Sequence, residues 1–162
     1  MVFVTVGTHE QPFDRLVKAI DGLVADGTLD EEVFVQTGYC TYEPEHCGWA
    51  RFVPAPEMRS RMEEADVVVT HGGPSSFIEA LAAGKAPVVV PRYERFGEHV
   101  NDHQVAFVRL VAERKGGIVP VYDVADMAAA IEGARRLSRS GAGFRSHNAE
   151  FCRELRERIE GL

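Results

Sequence analysis

Short valine-rich runs recur along the chain at intervals that leave room for a helix between them: Val2 to Val6, Val33 to Thr37, Asp66 to Thr70 and Ala86 to Val90. A run of β-branched residues with no polar alternation reads as a strand buried on both faces, the pattern of a parallel sheet. The intervening segments carry apolar residues at helical spacing, predicting helices over Phe13 to Ala25, Glu57 to Ala65, Ser75 to Ala83, Asn101 to Arg114 and Val124 to Leu137. Gly84 stops the third of these. Arg51 to Val53, closed by Pro54 and Pro56, is read as a short third strand, and Gly117 to Pro120 as a sixth. Strand and helix in alternation imply an α/β fold, with a parallel sheet of about six strands and helices on both faces.

At 162 residues the chain suits one domain with its own core. Residues 1–140 make up the α/β unit and 141–162 a C-terminal extension of it. After a small-residue link from Ser138 to Gly143, a helix is expected from about Phe144 to Glu160. It carries Phe144, Phe151, Leu155, Ile159 and Leu162 near one face. That stripe packs on its own domain or docks to a partner, and both readings stand. The apolar runs fall far short of the ~18 residues of a membrane span. Met1 leads directly into a strand, so no signal peptide is expected. Cys40, Cys47 and Cys152 are odd in number and lack metal-ligand spacing, which fits thiols in a reducing cytosol. A net charge of −7 argues against nucleic acid as a partner. Any phosphate site must therefore be local.

Such a site is legible from His71 to Glu79, His-Gly-Gly-Pro-Ser-Ser-Phe-Ile-Glu, between the strand at Asp66 to Thr70 and the following helix. A strand that turns on glycines into a helix leaves amide N–H groups unpaired at the positive end of the helix dipole, where anions bind. Gly72 and Gly73 keep side chains clear, Pro74 suits a first helical turn, and Ser75 and Ser76 either cap the helix or donate to a phosphate oxygen. Glu79 lies about one turn further on, placed to accept from a sugar diol as an acidic residue does in dinucleotide folds. Ligands of parallel sheets sit at the carboxyl ends of the strands, where Gly7-Thr8, Gly38, the His71 turn and the loop from Arg92 to Val100 converge.

Together with Ala83 to Pro91 and Asn101-Asp102-His103-Gln104, these residues resemble the donor-binding domain of family 28 glycosyltransferases, across essentially the whole chain. The resemblance implies a Rossmann-like sheet, the C-terminal half of a GT-B fold. Val4 to Thr8 with Phe13 to Leu16 is similar to the opening of the soluble subunit of the dolichol-linked chitobiose synthase. Phe96 to Gln104 looks most like the bacterial exopolysaccharide and capsule version, a stand-alone donor half of a split enzyme. Gly72, Pro74 and Ser75 stand where the long plant-type signature has cysteine, tryptophan and asparagine, so base recognition lies elsewhere.

The resemblance implies a donor-binding catalytic subunit that moves a hexose or hexuronic acid from a UDP-sugar to a polyprenyl-diphosphate-linked acceptor, with inversion. A membrane-anchored partner subunit, for which the C-terminal helix is a candidate docking element, then supplies the acceptor site and the general base, and holds this chain at the inner face of the membrane. The competing classes are a non-catalytic enhancer of a partner transferase and a stand-alone UDP-sugar epimerase or hydrolase. No Asp-x-Asp pair occurs, so no metal and no other cofactor is expected. Fixed dipoles must meet the charge of the leaving diphosphate. Gly7, Thr8, His71, Gly72, Gly73, Ser75 and Ser76 are assigned to that diphosphate and Glu79 to the ribose. Asn101, Asp102 and Gln104 are assigned to the sugar, although Asn101 or Asp102 serves equally as a helix cap. Arg92 and Arg95 either solvate their loop or approach an acidic group. His9 stands between a phosphate contact and a surface role, and is the one weak candidate for catalysis in this chain.

Overall fold

The computed structural model describes residues 1–140 together with Glu150, Arg153, Glu154 and Glu157. Six parallel strands form one sheet: β1 (Val2–Thr5), β2 (Val33–Gln36), β3 (Gly48–Ala50), β4 (Val67–His71), β5 (Val88–Val90) and β6 (Val119–Pro120). Their order is β3-β2-β1-β4-β5-β6. The chain builds outward from β1 in one direction, returns to β4, and builds outward in the other. This is the doubly wound arrangement, whose crevice opens where the winding reverses, between β1 and β4.

Alternate residues divide between the two faces of the sheet. Val2 and Val4 pair with Val33 and Val35 on one side and Val67 and Val69 on the other. All six pack in one cluster with Leu16, Val17 and Ile20 of α1 (Asp14–Ala25). Met127, Ile131 and Ala134 of α5 (Met127–Ser140) complete that layer. Phe3 and Val68 face the opposite way, onto Met62 of α2 (Ala55–Glu64) and Ala80 of α3 (Pro74–Ala82). Val89 does likewise, meeting Phe77 and Leu81 of α3 and Val108 and Val111 of α4 (His103–Arg114). Each fully buried valine or leucine stabilises the fold by roughly 1.5–3 kcal/mol relative to exposure. Helices therefore cover both faces.

The third strand corrects the sequence reading. Pairing with β2 runs Phe34↔Gly48, Val35↔Trp49 and Gln36↔Ala50, so β3 ends just where Arg51 to Val53 begins. Trp49 packs partly buried on the core while Phe52 is half exposed. Arg51 instead gives its carbonyl to Gly38 N at 2.7 Å and to Gln36 Nε2 at 2.8 Å, which ties the segment after β3 to the end of β2. Smaller shifts have similar local causes. Pro56 fits the first turn of α2, so that helix starts at Ala55. A 3-10 turn over Val124–Asp126 precedes α5. The stripe expected along the C-terminal helix lies outside the described residues.

Candidate functional site

The carboxyl ends of β1 and β4 are locked together around one imidazole. His71 ends β4, and its ring lies between the backbones of Gly7 and Gly73. A Cβ on Gly7, which has φ +77°, would come within 2.4 Å of His71 Nε2. A Cβ on Gly73 would come within 2.1 Å of its Cε1. Nδ1 accepts from Gly73 N at 2.9 Å, which puts the ring proton of the neutral form on Nε2, donating to Ser76 Oγ at 2.9 Å. Burial above all, and then the positive field of Arg92 and the nearby His9 and His99, pulls this imidazole down to about 3. His71 is thus neutral at physiological pH, and both ring nitrogens are engaged within the turn. It shapes the turn rather than lending it charge.

The turn then enters α3. Gly73 is its N-cap and Pro74 its first residue, and no side chain caps it. Its positive end therefore faces the crevice without an internal anion. Ser75 is exposed there, Ser76 is held by His71, and Glu79 is exposed one turn on.

A polar network fixes the β1 and β2 ends. Thr5 Oγ1 accepts from Gly7 N at 3.2 Å and donates to Gln36 Oε1 at 2.6 Å. The Gln36 amide nitrogen donates to Gly7 O at 3.2 Å and Arg51 O at 2.8 Å. Gln36 is 1% exposed, and one buried amide thus ties the loops after β1 and β3 to the end of β2.

On the other flank, Arg92 is fully buried rather than part of a solvated loop. Its Nη1 donates to Gln11 O at 2.6 Å and Glu98 O at 3.0 Å, and Nη2 donates to Val6 O at 2.7 Å. Burial lowers this guanidinium to about 10, so it stays charged at neutral pH. Glu98, 3% exposed, binds Arg15 through both oxygens, at 2.8 and 3.0 Å, and accepts from Tyr93 N at 2.9 Å. Gln104 Oε1 accepts from Arg92 N at 3.1 Å, and its side chain packs on Gly72.

These elements enclose a cavity of about 440 Å³, within the range of small-ligand sites. Of the residues singled out in the sequence, Gly7, Thr8, His9, His71, Ser75, Ser76, Glu79 and Gln104 line it. Gly72 and Gly73 are buried behind the turn, where Gly72 leaves room for Gln104 and Gly73 for His71. Asn101 and Asp102 do not line the cavity: Asn101 Oδ1 accepts from His103 N at 3.1 Å, and Asp102 Oδ1 from Glu94 N at 2.9 Å. Asp102 is the N-cap of α4 by position, but its side chain makes no cap bond. Arg95 is exposed and rests on the rings of Tyr93 and Phe96.

Thr5, Gln36, His99, Met58 and Met62 also line the cavity, although the sequence reading assigns a role to none of them. Thr5 and Gln36 sit in strands, where polar residues at the carboxyl end are the only available signal. Among the described residues, Glu79 is the sole carboxylate in the lining. Among the described residues no group of three His, Cys, Asp or Glu side chains is arranged to hold a metal ion, and no helix is long and apolar enough to cross a membrane.

A family model described as the glycosyltransferase family 28 C-terminal domain matches residues 1–116. Similar solved structures include the glycotransferase of kitacinnamycin, with 21% identity over 95% of this chain and 43% of that one, at a TM-score of 0.57. The glycosyltransferase SnogD from Streptomyces nogalater shows 19% identity, 98% and 43% coverage and a TM-score of 0.55. MurG of Acinetobacter baumannii shows 18% identity, 96% and 49% coverage and a TM-score of 0.54. At these identities the likeness shows the fold, that of the C-terminal half of GT-B glycosyltransferases, and this chain spans less than half the length of each. No curated protein matches it in sequence.

Proposed function

The chain belongs to the glycosyltransferase family 28 C-terminal domain family, and from that premise we propose that it is the donor-binding catalytic subunit of a two-component glycosyltransferase. It takes a hexose or hexuronic acid from a UDP-sugar and delivers it, with inversion, to a polyprenyl-diphosphate-linked acceptor in exopolysaccharide or capsule synthesis. The observation that carries this reading is the cavity at the β1–β4 reversal, with an uncapped helix N-terminus on one wall and a single carboxylate one turn away.

The geometry supports the following roles. The diphosphate lies against Gly7, Thr8 and the first turn of α3, where Ser75 reaches it and fixed amide dipoles offset the charge that grows as the glycosidic bond breaks. This requires no metal. His71 and Gly73 act by holding that turn in shape. Glu79 accepts from the ribose hydroxyls. Gln104 meets the sugar, with an amide that both donates and accepts, while Asn101 and Asp102 hold the segment that presents it. The acceptor and its general base are contributed by a membrane-anchored partner, which also keeps this chain at the inner face of the membrane.

Titration of UDP into the purified chain tests the nucleotide site, with micromolar to low-millimolar binding expected. Membranes holding this chain together with the product of the neighbouring gene, assayed against a panel of UDP-sugars, test transfer. Each component is expected to be inactive alone. Full transfer by the isolated chain would refute the two-component reading, and partner activity that survives Glu79→Ala would favour an enhancer role.

A further inference from the structure

His99 falls within the Phe96 to Gln104 segment, where the resemblance assigns it no role of its own. Its Nδ1 is buried and has no hydrogen-bond partner. The ring lies stacked on His9, with centroids 4.6 Å apart and planes 16° from parallel, and both rings line the cavity that holds the glycine turn. His9 comes from the loop after β1 and His99 from the loop after β5, so the two flank the crevice from separate elements. His9 is tethered, its Nε2 lying 2.9 Å from Gln11 Oε1.

We propose that His9 and His99 act as a paired ligand for the donor's diphosphate, and that one proton enters the pair together with the anion. The inference rests on the nucleotide-diphosphate reading of this cavity and adds to it a residue, His99, and a linked proton.

The charges around the pair explain why the proton arrives with the ligand. Two stacked imidazolium ions would repel each other at this distance. Arg92 lies buried beside them, His103 begins the following helix, and His71 faces them from the turn as a neutral ring. The nearby carboxylates do little to offset this. Glu98 is held by both oxygens to Arg15, Glu79 stands out on α3, and Glu10 is exposed. Burial, followed by His9 and Arg92, accordingly holds His99 below the ordinary imidazole range, with Asn101 pulling the other way. A diphosphate in the crevice reverses the sign of that field, since an anion within about 4–6 Å favours the charged ring. Proton and ligand then strengthen one another's binding by the same factor.

Histidine-edited NMR on the whole chain tests this, following the Cε1 proton of each imidazole from pH 5 to pH 8.5 without ligand, with saturating UDP and with saturating uridine. The His9 and His99 signals are identified through His9→Gln and His99→Gln, or by backbone correlation where a variant does not fold. UDP is expected to raise the titration midpoint of His99 by about one pH unit, which corresponds to a tenfold tighter fit for the protonated pair. Uridine is expected to leave it in place, and each glutamine variant should bind UDP about tenfold more weakly. If UDP binds and the midpoint stays put, or moves equally with uridine, the paired ligand is refuted while the nucleotide site stands. If UDP at millimolar concentration does not bind at all, the diphosphate reading fails and this inference falls with it.

Discussion

Gly7 and His71 meet across the point where the sheet reverses its winding, the glycine presenting bare backbone to the imidazole so closely that a methyl group would sit 2.4 Å from Nε2. Gly7 also has φ +77°, a conformation costly for any side chain. Gly7→Ala therefore meets two penalties at once, steric and conformational. We expect a loss of about 2–4 kcal/mol in denaturant unfolding and at least a tenfold loss of UDP affinity. A variant within about 0.5 kcal/mol of wild type would show that the contact relaxes freely.

His71 makes the fold acid-sensitive. Its folded value of about 3 lies below the ordinary 6.5, so below pH 6.5 the unfolded chain binds the proton and the folded chain does not. The contribution of the neutral ring is complete above pH 6.5 and declines as pH falls from there toward 3. The slope approaches one proton, about 1.4 kcal/mol per pH unit. His71→Asn keeps an acceptor for Gly73 N and removes the titration. Denaturant midpoints measured between pH 5 and 8 should fall less steeply for the variant than for wild type.

Glu79 is exposed and lines the cavity, so its role separates cleanly from stability. Glu79→Ala should unfold within about 0.5 kcal/mol of wild type, yet bind UDP about tenfold more weakly, the effect of one or two hydrogen bonds to a charged acceptor. Wild type should also prefer UDP over 2′-deoxy-UDP, and the variant should not. Calorimetric titration of both nucleotides reads the difference.

Arg92 carries three hydrogen bonds to carbonyls of two separate loops from a fully buried position. Arg92→Met leaves Val6 O, Gln11 O and Glu98 O without that donor, at a cost of about 3–5 kcal/mol. Arg92→Lys should recover only part of this, because one ammonium cannot reproduce the planar fork. Thermal unfolding of the two variants gives the order wild type, Lys, Met.

The strands were legible because β-branched runs buried on both faces have no competing reading: β1, β2 and β5 lie within the runs that announced them, and β4 runs one residue past its own, to His71. Gly48-Trp49-Ala50 was not legible. It is an edge strand of weak formers whose place is set by pairing with Phe34 to Gln36, and pairing is not written locally. At the site, the glycine turn could be read because its chemistry is contiguous in sequence. Gln36 and His99 could not, since each matters through partners distant in sequence, on the loop after β1. Arg92 shows the same limit from the other side: an arginine after a strand reads as solvated until the fold encloses it.

The guanidinium of Arg92 bridges to Val6 and Gln11, positions 86 and 81 residues earlier in the chain. Such contacts close last, since the long loops between them must be ordered first. On the ribosome, the first five strands emerge before the residue that braces the loop after β1, so the nascent chain can hold most of its sheet before that brace is in place. The proposed competence to bind nucleotide is thus expected to come late, and its appearance during refolding would time the completion of the fold.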